Sequence, residues 1–287
     1  MKESLSYLLE RRSRAALACG ALQPIETVCR IVPDAGVRFV VRRVSSLKRR
    51  DEARMAGDAR PSPYLPPEPE LVVGELSSTH FALLNKFNVI DRHLLIVTRR
   101  FVPQETLLDG DDFAALALAM AELDGLGFYN GGGEAGASQR HKHLQWVPLP
   151  LGEGEAVPME ALLAEAIPGP GAVPGLPFRH AFARLDAGLF ADPAAAAQVL
   201  HQLYHDLLAH LGISGVSRDG MLWQGAPYNL LVTRRWLLLV PRLREKAQGI
   251  SINALGFAGS LFVRDAAELA RVQAAGPMRL LRDVAGP

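Results

Sequence analysis

The sequence predicts an α+β fold: a twisted, mostly antiparallel sheet flanked by helices. Three observations carry this. Strand and helix signals come in runs, without the strict βαβ alternation of a doubly wound parallel sheet. Two pairs of apolar, β-branched segments, 80–87 with 93–98 and 228–233 with 236–240, are joined by short polar connections, as in hairpins. Residues 141–148 set His141, His143 and Gln145 against Leu144 and Trp146, as a strand with one polar and one buried face does.

Each element follows in chain order. Residues 3–18 place Leu5, Leu8 and Leu9 on one helical face. Residues 37–44 are β-branched and partly alternating, which predicts a strand. Residues 51–70 are charged and then proline-rich (Pro61, Pro63, Pro66, Pro67, Pro69), which predicts a surface excursion rather than a regular element. The 88–92 connection closes the first hairpin. Asp111 or Asp112 is expected to cap a helix running to about residue 125 on Phe113, Leu116, Met120 and Leu123. Residues 151–177 are rich in Gly and Pro, with at most a short helix near 158–166. They are the expected boundary between an N-terminal region, 1–170, carrying the catalytic strand, and a C-terminal region, 171–287. Asp192 and Pro193 supply an N-cap and a first-position proline for a helix to about residue 211. Asp265 with Glu268 predicts a capping box.

With 287 residues, 49% of them apolar and 21% charged, the chain is an ordinary globular protein near the upper size for one core. A net charge of +1 offers no electrostatic footprint for nucleic acid or an anionic membrane, so an anionic substrate must be held by a local pocket. Cys19 and Cys29 cannot make a disulfide scaffold or a C-x-x-C metal site, and a reducing cytoplasm is expected. Lys2, Glu3, Glu10, Arg11, Arg12 and Arg14 interrupt any signal-peptide core. No apolar run is long enough to span a bilayer, so a soluble protein is expected.

The chemistry concentrates between Asn130 and Gln145. On a strand, His141, His143 and Gln145 share a face. The glycines before them allow backbone N–H groups to approach an anion, which points to phosphate chemistry. From the residues alone, two functional readings of the histidines stay open. As zinc ligands they lack a third partner, since Gln145 is a poor one. As a nucleophile, one imidazole needs a free nitrogen and an acceptor for its other N–H, with Gln145 offering its amide to a phosphoryl oxygen. The plain alternative is a polar surface strand, and the coincidence of one-sided polarity with the glycine loop favours function over it. Lys142 interrupts the apolar face, and its stem is expected to snorkel.

Other motifs carry less. Gly131, Gly133 and Gly136 formally match a dinucleotide fingerprint, but a strand rather than a helix opens after them. There is no Walker Gly-Lys-Ser/Thr and no Gly-x-Ser-x-Gly elbow. His201 and His205 have the spacing of a zinc-protease helix, but Gln202 stands where the general base belongs, and they read as helix-surface histidines. His80, Asn85 and Lys86 lie on or at the end of an apolar strand, where they contact phosphate or ribose or simply reach solvent. Lys48-Arg49-Arg50 and Arg234-Arg235 read as solvated surface, and Arg242 and Arg244 lie where an anion could be met.

Tyr129-Asn130, then Gly-Ala-Ser-Gln and His-x-His-x-Gln, resembles the ATP adenylyltransferases, also called diadenosine tetraphosphate phosphorylases, of the histidine-triad (HIT-like) superfamily, distant relatives of galactose-1-phosphate uridylyltransferase. Further blocks match in order: Leu84-Asn85-Lys86-Phe87 with 93–98, Tyr228 through Thr233, Trp236 through Arg242, and Ser251 through Gly259. The resemblance covers nearly the whole chain, most weakly at 51–70 and 151–190. It implies a HIT-like fold and a nucleotidyltransferase that phosphorolyses diadenosine tetraphosphate to ADP and ATP, or runs in reverse. His143 would be adenylylated, Gln145 would contact the phosphoryl oxygens, and His141 would orient the leaving group or hold His143. Asn130, Gly136, Ala137, Ser138 and Gln139 would bind the nucleotide phosphates, with Asn85 and Lys86 in the same pocket. Arg50, or else Lys48, would be an N-terminal substrate contact, and Asn229 and Thr233 the C-terminal contribution. Where the family pattern has proline, this chain has Arg140, a cation near the phosphates.

The covalent-histidine route requires no cofactor, though a divalent cation such as Mg can accompany the nucleotide. The expected partners are small-molecule nucleotides and phosphate, with no nucleic acid and no membrane. Two competing readings make distinct predictions: a metal-dependent hydrolase with His141 and His143 as ligands, and a non-catalytic adenine-nucleotide sensor.

Overall fold

The hydroxyl of Ser4 accepts the N–H of Tyr7 and opens the first helix, α1 (Leu5–Ala18). The computed structural model describes residues 3–44, 62–152, 156–164 and 171–287. After α1 come strands β1 (Thr27–Asp34), β2 (Val37–Val44), β3 (Val72–Glu75), β4 (His80–Leu84) and β5 (Leu94–Thr98), then helix α2 (Gly110–Glu122). Strands β6 (Gly125–Gly131) and β7 (His143–Pro148), a short helix α3 (Glu160–Leu163), strand β8 (Ala181–Arg184) and helix α4 (Pro193–His210) follow. The chain continues through β9 (Gly215–Arg218), β10 (Met221–Gln224), β11 (Tyr228–Val232), β12 (Trp236–Pro241), β13 (Lys246–Ala247) and β14 (Ile250–Ser251). It ends with α5 (Ala254–Phe257), β15 (Ser260–Val263), α6 (Ala266–Ala275) and α7 (Pro277–Ala285).

An antiparallel eight-stranded sheet in the order β3-β4-β5-β7-β6-β11-β12-β8 organises the molecule, so the α+β expectation holds. Strands from both sides of residue 170 contribute to it. Both predicted hairpins form: Leu84 pairs with Leu94 and Val232 with Leu237. A smaller sheet joins β1, β2 and β15, with β2 and β15 parallel. Among the described residues no helix is long and apolar enough to cross a membrane.

The two faces of the large sheet are both covered. Leu144, Trp146, Tyr129 and Leu230 face α2 and α4 through Phe113, Leu116 and Tyr204. Val147, Phe128, Leu231 and Val240 face the C-terminal layer of Phe257, Leu261 and Leu281. His143 and Gln145 share the second face with Val147, and they lie where β7, near the middle of the sheet, emerges from that layer.

Several local expectations change. Asp109, not Asp111 or Asp112, caps α2. Asp112 is the reciprocal member of the box, accepting the Asp109 N–H at 2.9 Å. Asp265 does accept from Glu268, but the Glu268 carboxylate returns to Arg264 N–H instead, leaving half a box. The strand of the catalytic motif begins at His143, because His141 makes only an isolated bridge to Pro103. The stretch 125–131, left unassigned between the predicted helix and the glycine loop, is a central strand. A Cβ at Gly125 would stand 2.4 Å from the Trp146 indole, so the glycine lets β6 and β7 pair around that ring. Lys142 does not snorkel. It is 2% exposed, and its ammonium binds Asp112 Oδ2 and the Leu107 carbonyl, each at 2.8 Å.

Candidate active site

The site forms where β7 parts from β6. Their ladder runs from Gly125–Pro148 to Phe128–Gln145 and stops, although β6 continues to Gly131, paired with β11. Into the gap comes the side chain of Gln104, fully buried. Its Oε1 accepts the His143 N–H at 2.9 Å, and its Nε2 donates to the carbonyls of Asn130 (2.9 Å) and His143 (3.3 Å). The amide therefore stands in for a missing peptide of the ladder, satisfying main-chain groups that would otherwise be buried unpaired. The Tyr129 hydroxyl donates to the Gln104 carbonyl and fixes the segment from behind.

This frame sets the imidazole. His143 Nδ1–H donates to the His141 carbonyl at 2.8 Å, so the lone pair lies on Nε2, which has no partner among the described residues. Burial lowers the His143 pKa to about 4, only partly offset by that hydrogen bond. A neutral imidazole with one free nitrogen is a nucleophile at neutral pH.

His141 is occupied at both nitrogens. Its Nε2 lies 2.9 Å from the Thr98 carbonyl, which can only accept, so Nε2 carries the proton and Nδ1 accepts from Ser62 Oγ at 2.6 Å. Burial lowers its pKa as well. It holds the strand end whose carbonyl orients His143. Among the described residues no group of three His, Cys, Asp or Glu side chains could hold a metal.

Gln145 is held by a relay. Asn85 Nδ2 donates to His93 Nδ1 at 3.1 Å, and His93 Nε2–H donates to Gln145 Oε1 at 3.0 Å. With its oxygen engaged, the amide presents its NH2 as the free donor. Asn85 thus reaches the site through His93. Lys86, next along, pairs with both carboxylate oxygens of Glu68 at 2.9 and 2.8 Å.

Asn130 Oδ1 accepts from Asn229 Nδ2 (2.8 Å) and from the Ala254 N–H (3.0 Å). Asn229 also donates to the Ala135 carbonyl and accepts from Arg242 at 2.6 Å, so its whole side chain is engaged in holding the loop rather than facing a ligand. Arg242 is buried beneath, and burial lowers its pKa to about 10. Gly136, at φ +88°, sits where a Cβ would meet Asn253 at 2.9 Å. The expected cradle is narrower than the glycine count suggests. The N–H groups of Gly132, Ala135, Gly136 and Ala137 bond to carbonyls of the loop itself and of Asn130, which leaves the backbone around Ser138, Gln139 and Arg140 as its open part. Ser138 and Arg140 are exposed.

Not every expected residue comes together. Thr233 lies past the far end of β11, where its hydroxyl accepts the N–H groups of Arg235 and Trp236; it is a turn residue. His80 lies behind the sheet, bound to Asp112 at 3.0 Å. His201 and His205 face each other at 3.0 Å on the outer side of α4. Arg50 and Lys48 lie outside the described residues.

Sequence reasoning missed Gln104, His93, Ser62 and Tyr64. The proline-rich segment is not a mere excursion: Tyr64 places its ring 5.3 Å from His143 and 5.6 Å from His141, and the Ser62 hydroxyl occupies the second nitrogen of His141. His93 was legible, because it opens the second strand of the predicted hairpin, opposite Asn85, whose N–H bonds to the His93 carbonyl at 2.9 Å. Gln104 carried no local signal.

Comparison with known proteins gives a consistent answer. Residues 1–165 match the model of the Ap4A phosphorylase N-terminal domain, and residues 174–287 that of the ATP adenylyltransferase C-terminal domain (Ap4A is diadenosine tetraphosphate). Diadenosine 5',5'''-P1,P4-tetraphosphate phosphorylase 2 of Saccharomyces cerevisiae is 29% identical over 268 residues, covering 83% of this chain and 79% of that protein. Protein APA1 of the same yeast is 25% identical over 290 residues, 91% and 87% of the two chains. The crystal structure of yeast Ap4A phosphorylase Apa2 superposes with a TM-score of 0.80 at 24% identity, covering 100% of this chain and 96% of that one. The same protein in complex with Ap4A gives 0.75 at 23%, with 100% and 99% covered. The architecture is that of the HIT-like nucleotidyltransferases. The chain belongs to the Ap4A phosphorylase family.

Proposed function

We propose that this chain phosphorolyses Ap4A to ADP and ATP through an adenylylated His143. The overall reaction follows from the family; the route rests above all on the free, neutral Nε2 of His143. That nitrogen attacks one α-phosphorus, the Nε2–P bond forms, the bond to the bridging oxygen breaks, and ATP leaves. Inorganic phosphate then attacks the same phosphorus, releasing ADP and restoring the imidazole. The His141 carbonyl accepts the Nδ1–H throughout, so it stabilises the positive charge that the ring gains on attack.

In this reading Gln145 supplies its NH2 to a non-bridging oxygen of the α-phosphate, oriented by His93 and Asn85. The open amides and side chains of Ser138 and Gln139 take further phosphate oxygens, and Arg140 adds a cation beside them. Asn130 and Asn229 keep the loop in place. In this reading His141 and His143 do not share a metal, since both His141 nitrogens are engaged, and magnesium comes with the polyphosphate. Free Cys19 and Cys29 fit the cytoplasm as location.

The test is incubation with Ap4A, with and without phosphate, followed by product identification and acid-stable or acid-labile label on the protein from α-labelled substrate. Phosphate-dependent ADP and ATP, with an acid-labile adenylyl group lost in His143→Ala, is the expected outcome. Full activity in His143→Ala would end the mechanism. Nucleotide binding without labelled protein or turnover would leave a sensor, and loss of activity to a chelator with stoichiometric zinc would leave a metal-dependent hydrolase.

A further inference from the structure

The segment from Ser62 to Glu68 is tied to the site at three points. Ser62 Oγ bonds to His141 Nδ1, the Tyr64 ring lies against His143 and His141, and Glu68 grips the Lys86 ammonium with both oxygens. Lys86 follows Asn85, whose side chain begins the relay to Gln145. Its ammonium is thus a cation beside that relay, and the segment links it to His143: Tyr64, against the His143 ring, and Glu68, on Lys86, are four positions apart, so their Cα atoms lie at most about 14 Å from each other. A carboxylate occupies it. A carboxylate and a phosphate offer an ammonium the same thing, a pair of anionic oxygens at hydrogen-bond distance.

We infer that Glu68 is a specificity-determining residue: it holds Lys86 as a resident stand-in for a phosphate and yields it only to ligands whose phosphate chain extends beyond the α-position. The inference rests on the proposed function, because it takes His143 as the seat of the α-phosphate. A ligand that ends at the α-phosphate leaves the Glu68–Lys86 pair intact. A longer polyphosphate displaces the carboxylate, gains Lys86, and frees the segment carrying Tyr64. The displacement cost is small, since the two side chains are 40% and 33% exposed, and pairs of that kind are weak. It falls on every ligand that takes Lys86 and on none that does not.

The experiment is calorimetric binding of the α,β-methylene analogue of ATP, which resists cleavage by attack at the α-phosphorus, and of AMP. The proteins are the wild type, Glu68→Gln, Lys86→Met and the double variant. Glu68→Gln keeps the shape and removes the charge. It should tighten the ATP analogue about two- to five-fold, the range for a part-exposed ion pair, and leave AMP unchanged. In the Lys86→Met background, Glu68→Gln should have no effect on either ligand. A Glu68 that merely supports the fold would give unchanged or weaker binding of the analogue when neutralised, and that result overturns the inference, as does an equal gain without Lys86. If the wild type binds neither nucleotide, the proposed function falls and the inference falls with it.

Discussion

Gln104 accepts the backbone N–H of His143 at 2.9 Å from 39 residues away, and through the same amide donates to Asn130. His143 is thus positioned by a side chain that takes the place of a strand. Gln104→Ala leaves the His143 N–H buried without its partner, at a cost of about 1–3 kcal/mol, and takes one of two donors from the Asn130 carbonyl, which keeps the Gly132 N–H. We expect a lower melting temperature together with a kcat reduced roughly ten- to hundred-fold, since small misplacements of a reacting group cost that much. Gln104→Glu, which keeps an acceptor and loses the donor, should fall between. Thermal unfolding and steady-state kinetics check both.

The pH profile reports the burial of His143. With its pKa lowered to about 4, the imidazole stays neutral well below the usual histidine range, and the acid limb of kcat/KM should fall near pH 4 rather than near 6.5. The sign for stability runs the same way. The unfolded chain takes up the His143 proton near pH 6.5 and the folded one only near 4, so this contribution is present above 6.5 and is lost as pH falls towards 4. A rate profile breaking at 6.5 would contradict this.

Gln145 and its support should separate in kinetics. Gln145→Ala removes the donor itself, and the loss of such a donor costs roughly 10²–10³ in kcat. His93→Phe keeps a ring against Phe128 but releases the Gln145 amide, so a smaller drop of about ten-fold is expected with KM little changed. Rapid-quench measurement of the adenylyl-enzyme distinguishes the two.

Behind the strand, Asp112 joins Lys142 to His80. Burial raises its carboxyl pKa, but the His80 hydrogen bond and the Lys142 charge outweigh that and hold it below the ordinary aspartate value. Asp112→Ala strands a buried ammonium on the residue before His143 and should destabilise by about 3–5 kcal/mol. Asp112→Ala with Lys142→Met should recover much of it. Denaturant titration of the wild type and the two variants is the measurement.

The hairpins, the one-sided face of β7 and the N-cap of α4 were legible because each rests on spacing within a few residues: period two in a strand, a cap and proline ahead of a helix. Strand β6 was not read from the sequence, because its glycines carry no strand signal, whereas they are there to admit the Trp146 ring and the α2 side chains. Thr233 and Asn229 match family blocks, yet one caps a turn and the other is saturated inside the loop. A conserved-looking string does not say which way a side chain is used.

By itself the sequence determined the alternation that puts His143 and Gln145 on one face, the two hairpins that bracket them, and the absence of a Walker motif or a nucleophile elbow. Only the tertiary structure decided which nitrogen of His143 is free, that Lys142 is buried against Asp112, and that Lys86 is held by Glu68. The physical reason is range. Alternation follows from the covalent geometry of a strand, whereas a tautomer, a pKa or an ion pair depends on groups such as Gln104, Asp112 and Glu68, which packing brings in from elsewhere in the chain.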